Sequence, residues 1–92
     1  MATLIVTYDL KKEPSERDYD GFHKCIKQYD WRQLSESCYA IDAKISPSSL
    51  YEALKPHIDQ NDTVLVLTLA APWAGQHVPR TRDFLRQQIP NS

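Results

Sequence analysis

A small α+β domain is predicted by three features of this chain: a strand-like apolar run at each end of its first seventy residues, two helix-period stripes between the ends, and a β-rich pair of segments in the middle. The first run, Ala2-Thr3-Leu4-Ile5-Val6-Thr7-Tyr8-Asp9-Leu10, holds the β-branched and aromatic residues that suit a pleated, half-buried surface. It ends on one carboxylate, Asp9. Lys11 to Ser15 is a polar loop with Pro14. Ser15 followed three residues later by Asp18 reads as a capping box with Asp in place of Glu or Gln. Tyr19, Phe22, Ile26 and Tyr29 then recur at helical spacing, with Cys25 beside them, over about three turns. Gly21 weakens that helix by up to about 1 kcal/mol relative to alanine.

Trp31 to Ala43 reads as a hairpin that breaks at Ser35-Glu36-Ser37, although no Asn-Gly or Gly-rich turn marks the break. Ser46 and Pro47 are an N-cap and a first helical residue. Leu50, Ala53, Leu54 and His57 or Ile58 form the inner stripe of that helix, and Pro56 ends or kinks it near Leu54 or Lys55. Asp59 to Asp62 is a turn. Thr63-Val64-Leu65-Val66-Leu67-Thr68-Leu69 is a strand with apolar residues on both faces. Ala70 to Gly75 is a loop that lays Trp73 on the core, and Phe84, Leu85 and Ile89 mark a short helix from about Arg80 to Gln88.

The order strand, helix, strand, strand, helix, strand fits a ferredoxin-like βαββαβ sandwich with a short C-terminal helical tail. Residues 1–92 form one domain, with 76–92 as its C-terminal extension. Both helices are expected on one face of the sheet. Leu65, Leu67 and Leu69 then need cover on the other, which points to a homodimer. If Leu4, Val6 and Tyr8 face the helices, Asp9 faces the second copy, and a two-fold axis nearby brings two copies of Asp9 together.

Composition narrows the function classes. The net charge of −1 argues against binding nucleic acid through bulk electrostatics. Arg80, Arg82 and Arg86 against Asp83 still leave a small basic excess near the C-terminus. No stretch approaches the roughly 20 apolar residues of a membrane span, and nothing reads as a signal peptide. Cys25 and Cys38 are read as free core thiols, and the localisation as cytoplasmic. The three histidines lack metal-ligand spacing, and two glycines in all leave no phosphate-cradling loop.

Asp9 is the one residue whose placement suggests chemistry. Two facing carboxylates suffice for a shared Mg²⁺ or Mn²⁺, because such ions keep several waters. A metal there polarises a phosphodiester and acidifies an attacking water. A carboxylate at a strand end equally suits capping of the Lys11–Ser15 loop or pairing with Lys11, Lys12 or a distant arginine.

Tyr8-Asp9-Leu10 closing the first strand resembles the opening of the small CRISPR-associated subunit of the spacer-adaptation complex. Arg32-Gln33-Leu34-Ser35-Glu36-Ser37-Cys38-Tyr39 is similar to its second-strand region, and VapD-type toxins share that fold. Small bacterial proteins described as SinR-like look closer still in Thr7-Tyr8-Asp9-Leu10-Lys11-Lys12, Leu54-Lys55-Pro56 and Ala71-Pro72-Trp73-Ala74-Gly75. The resemblance implies a ferredoxin-like homodimer in which Asp9 of each copy holds one divalent metal for phosphodiester cleavage. It equally implies a non-catalytic scaffold for a protein partner. The arginine-rich start of the first helix in the adaptation family is reduced here to Arg17 among Glu13, Glu16, Asp18 and Asp20. That disfavours DNA scaffolding and leaves an RNA-cleaving or a purely regulatory role. The expected activity is a metal-dependent nuclease acting on RNA, and the alternative is a non-catalytic scaffold or regulatory protein-interaction dimer. Asp9 is the expected metal ligand and catalytic residue, with Thr7 or Tyr8 in support. Lys12, Arg80 and Arg82 are candidate phosphate contacts.

Overall fold

The computed structural model describes residues 2–11, 19–70 and 74–88. Four strands and three helices follow in the order β1 (Ala2–Asp9), α1 (Asp20–Lys27), β2 (Asp30–Ser35), β3 (Cys38–Ala43), α2 (Pro47–Leu54), β4 (Thr63–Leu69) and α3 (Pro79–Gln88). The strands form one antiparallel sheet in the order β2-β3-β1-β4. The chain is thus α+β, as its patterning predicts. The expected Ser15–Asp18 cap, Trp73 and Ile89 lie outside the described residues.

The register fixes which residues share a face. Val6 stands opposite both Tyr39 and Val66, so Leu4, Val6 and Tyr8 line up with Tyr39, Ile41, Ala43, Val64 and Val66 on one side. Phe22 and Ile26 of α1 and Leu50 and Leu54 of α2 close over this side as the main core. Phe22, Ile26, Leu4, Ile41, Leu50, Leu54 and Val6 are wholly buried. The Tyr8 ring meets Phe22 edge-on at 4.9 Å, a favoured aromatic geometry.

α3 is not a free tail. Thr81, Phe84 and Leu85 recur at helical spacing and are buried against the opposite face of the sheet, with Ala40 beneath and Ile5, Leu34 and Leu69 around them. The Arg32 guanidinium lies 4.8 Å from the Phe84 ring centre. In the connection before α3, His77 Nδ1 accepts from the Val78 N–H at 2.9 Å, so its Nε2–H donates to the Leu34 carbonyl at 2.7 Å. The expectation that one chain leaves this face bare is therefore corrected: α3 covers the part over Ala40. Leu65 and Leu67, 55% and 48% exposed, remain outside it.

Local details also depart from the sequence reading. α1 begins at Asp20 and has eight residues, shorter than three turns, with Tyr19 at its N-cap and no side-chain cap. Ala53 is exposed rather than on the inner stripe of α2. Ser46 caps α2 by accepting from the Ser49 N–H at 3.1 Å, and past Leu54 the chain tightens into a 3₁₀ turn, Lys55–His57, at Pro56. The β2–β3 hairpin closes at Glu36-Ser37 without any positive φ, and its register shifts between Gln33 and Ser35. Because the turn uses no positive φ it has no need of the Asn or Gly that a type I′ turn demands, which is why no such signal marks it.

Gly21 has a packing reason. A Cβ at this position would meet the half-buried His57 ring, so alanine is accommodated only if that ring swings aside. Gly21→Ala is expected to lower stability by about 1 kcal/mol, because the clash outweighs the gain in helix propensity. In a His57→Ala background the same change is expected to stabilise by about 0.5–1 kcal/mol. Denaturant melts of the four proteins in this cycle check both signs.

Candidate functional site

β1 carries Asp9 to the end of the sheet on the face opposite α1 and α2. Its neighbours on that face follow from the ladder: Asp9 stands opposite Thr63, and Thr7 lies between Leu65 and Cys38. Thr7 therefore shares the Asp9 face. Tyr8 points the other way, into the core, with its hydroxyl donating to the Glu36 carbonyl at 3.3 Å. Burial, reinforced by Tyr39, pushes the Tyr8 phenol up to about 12, so it is a fixed donor at neutral pH.

The Asp9 side chain is 64% exposed and its Oδ2 pairs with Lys11 Nζ at 2.5 Å. An exposed pair of this kind adds little to stability. Among the described residues, no group of three or more His, Cys, Asp or Glu side chains converges to hold a metal within one copy. A site on Asp9 needs its remaining ligands from water and a second copy. Asp9 by itself offers a single carboxylate, and its Oδ2 is already paired with Lys11.

A second carboxylate, Asp62, organises the backbone next to Asp9. It accepts from the Lys11 N–H at 2.8 Å, from the Tyr19 hydroxyl at 2.9 Å and from the Asp59 N–H at 2.9 Å. It thereby ties the exit of β1, the start of α1 and the turn into β4. Nothing in the spacing of Tyr19 and Asp62 announces this hub, since the two are joined only by the fold.

The other expected site residues are dispersed. Lys12 lies outside the described residues. Arg80 lies at the start of α3, beside Asp30, Trp31 and Arg32 at the far end of the sheet. Asp30 is opposite Asp42, which is opposite Thr3, six residues up β1 from Asp9. That places Arg80 about 20 Å from Asp9 along the strands. Arg82 turns toward Leu34, His77 and Leu85 instead. The structure does not bring Asp9 and the arginines together. Both thiols are free and half-buried, and burial pushes both up, consistent with packing rather than nucleophilic roles.

The spacing of His23 fits no metal motif, and the fold sets it in an aromatic cluster. Its ring lies 5.4 Å from Phe22, 6.0 Å from Tyr8 and 6.4 Å from Tyr39, and its buried Nδ1 has no partner among the described residues. Burial, then Lys27, lower its pKa from the usual 6.5, with Asp20 opposing in part.

No protein-family model matches this chain, and no curated protein matches it. No helix among the described residues is long and apolar enough to cross a membrane.

Two predictions follow from the geometry around β1. Asp62→Ala removes one acceptor from three donors and is expected to cost about 2–3 kcal/mol in chemical melts. For His23, the folded state resists the proton more than the unfolded chain does. Its contribution is complete above pH 6.5 and is lost as pH falls through and below that value. The stability advantage of the parent over His23→Gln should shrink between neutral and mildly acidic pH, as thermal melts at several pH values will show.

Proposed function

We propose that this chain works as a ferredoxin-like homodimer, related to the CRISPR adaptation-subunit, VapD-type and SinR-like group, and that its paired Asp9 residues form a metal-dependent nuclease site acting on RNA. The observation that carries the dimer is β4. It is an outer strand of the sheet, seven residues long, with no charge, proline or glycine, and it leaves Leu65 and Leu67 exposed. Edge strands that stay solitary are guarded by charge, proline or a covering element. The opposite edge, β2, has such guards: Asp30, Arg32, a bulge and the contact with Phe84. A second copy is the occupant that fits β4, because an uncharged leucine surface is self-complementary across a two-fold axis.

Asp9 lies on the same face as those leucines, two ladder positions beyond Thr7 and Leu65. A two-fold axis near this end brings two carboxylates within reach of one Mg²⁺ or Mn²⁺. The ion, when bound, supplies charge stabilisation to a phosphodiester and a more acidic water. Thr7 flanks the site and Lys11 offers a cation beside it. The preference for RNA rests on the family resemblance.

The second reading is a non-catalytic scaffold that docks a protein partner. The Asp9–Lys11 pair favours it, since it gives Asp9 a role within one copy. Labelled RNA and DNA incubated with Mg²⁺ or Mn²⁺ separate the two. The nuclease reading expects RNA cleavage that requires metal and falls to background in Asp9→Asn. No cleavage by parent or variant, with both folded and dimeric, selects the scaffold.

A further inference from the structure

At the end of the sheet far from Asp9, an open cleft of about 480 Å³ lies between the start of β2 and the first turn of α3. It falls within the range typical of small-molecule sites, roughly 300–1,000 Å³. Its two cations come from different elements, Arg32 from β2 and Arg80 from α3. The Arg32 guanidinium is held in place before any ligand arrives. It lies against the Phe84 ring, and its Nη1 donates to the Trp31 carbonyl at 2.6 Å and faces Asp30 Oδ1 at 3.4 Å. Its buried Nε has no acceptor among the described residues. Arg80 is exposed and has no ion-pair partner among them. Asp30 is the carboxylate in the cleft wall, with Asp42 opposite it on the neighbouring strand.

One oriented guanidinium and one free guanidinium on separate rigid elements form a clamp for a multidentate anion. Phosphate is the group whose geometry and acceptor number match such forks best. The cleft is larger than a phosphate alone requires. Tyr29, half-buried, and Val78, 58% exposed, give it apolar wall for an attached sugar and base.

We propose that this cleft binds the phosphate of a nucleotide, with Arg80 and Arg32 as the contacting groups, as a site separate from Asp9. The ligand is a free mononucleotide or one residue of an RNA strand. The site stands whether or not Asp9 is catalytic. If Asp9 does cleave RNA, the cleft holds the strand about 20 Å from the point of cleavage.

Two-dimensional ¹⁵N NMR of the intact chain, including arginine Nε–H signals, tests this with three probes: inorganic phosphate, uridine monophosphate and a short oligouridylate. Saturable shifts are expected at Arg32 Nε–H and at the Val78 and Thr81 amides. Arg80→Ala should weaken binding about tenfold, the loss of one charged contact. Arg86→Ala, an exposed arginine of the same helix outside the cleft, should leave it unchanged. Tighter binding of the oligouridylate than of the monophosphate identifies the RNA backbone as the source, and equal binding identifies free nucleotide. Absence of saturable shifts with all three probes overturns the proposal. So does an Arg86→Ala loss as large as that of Arg80→Ala, which would mean diffuse charge attraction.

Discussion

The structure depends on one constraint: its sheet is apolar on both faces, and a chain this short has limited means to cover them. α1 and α2 together cover most of one face, and Leu4, Val6, Phe22, Ile26, Ile41, Leu50 and Leu54 are removed from water there, while Trp31, Val64 and Val66 are half-buried. At roughly 1.5–3 kcal/mol for each large buried side chain, this layer is the dominant stabilising contribution. The second face receives one helix. α3 buries Phe84 and Leu85 over Ala40 and stops short of Leu65 and Leu67. Uneven cover of that face leads to the proposed homodimer and decides where Asp9 meets solvent.

The same layout separates charge along the strands. Asp9, Asp59 and Asp62 gather where β1 ends and β4 begins, with Lys11 among them. Arg32 and Arg80 gather at the other end, where β2 starts and α3 leaves the sheet. A net charge of −1 sums over both ends, and Asp30 and Asp42 keep the arginine end from being uniformly basic. Carboxylates suit a cation and guanidinium groups suit a phosphate, so the two ends are fitted to different partners.

Much of the fold was legible in the sequence because local signals and burial agree. β1 and β4 are uninterrupted runs rich in β-branched and aliphatic residues, and Ser46-Pro47 states the start of α2 in two residues. The hairpin is marked by bulk alone, since its turn uses no positive φ and so calls for no Asn-Gly. The seat of α3 was not legible: Phe84 and Leu85 show that the helix has an apolar side, but not which surface receives it. Asp9 stood out because it ends a strand. Asp62, His23 and Arg32 did not, because each acquires its surroundings from residues distant in sequence: Tyr19 and Lys11, Tyr8 and Tyr39, and Phe84.

Light scattering on the intact chain, over a range of protein concentrations, tests the central claim that β4 is covered by a second copy. The account predicts a molar mass twice that of one chain at micromolar concentration, reduced to that of one chain in Leu65→Lys/Leu67→Lys while the circular dichroism of the fold is retained. A parent protein with the mass of a single chain at every concentration would contradict it.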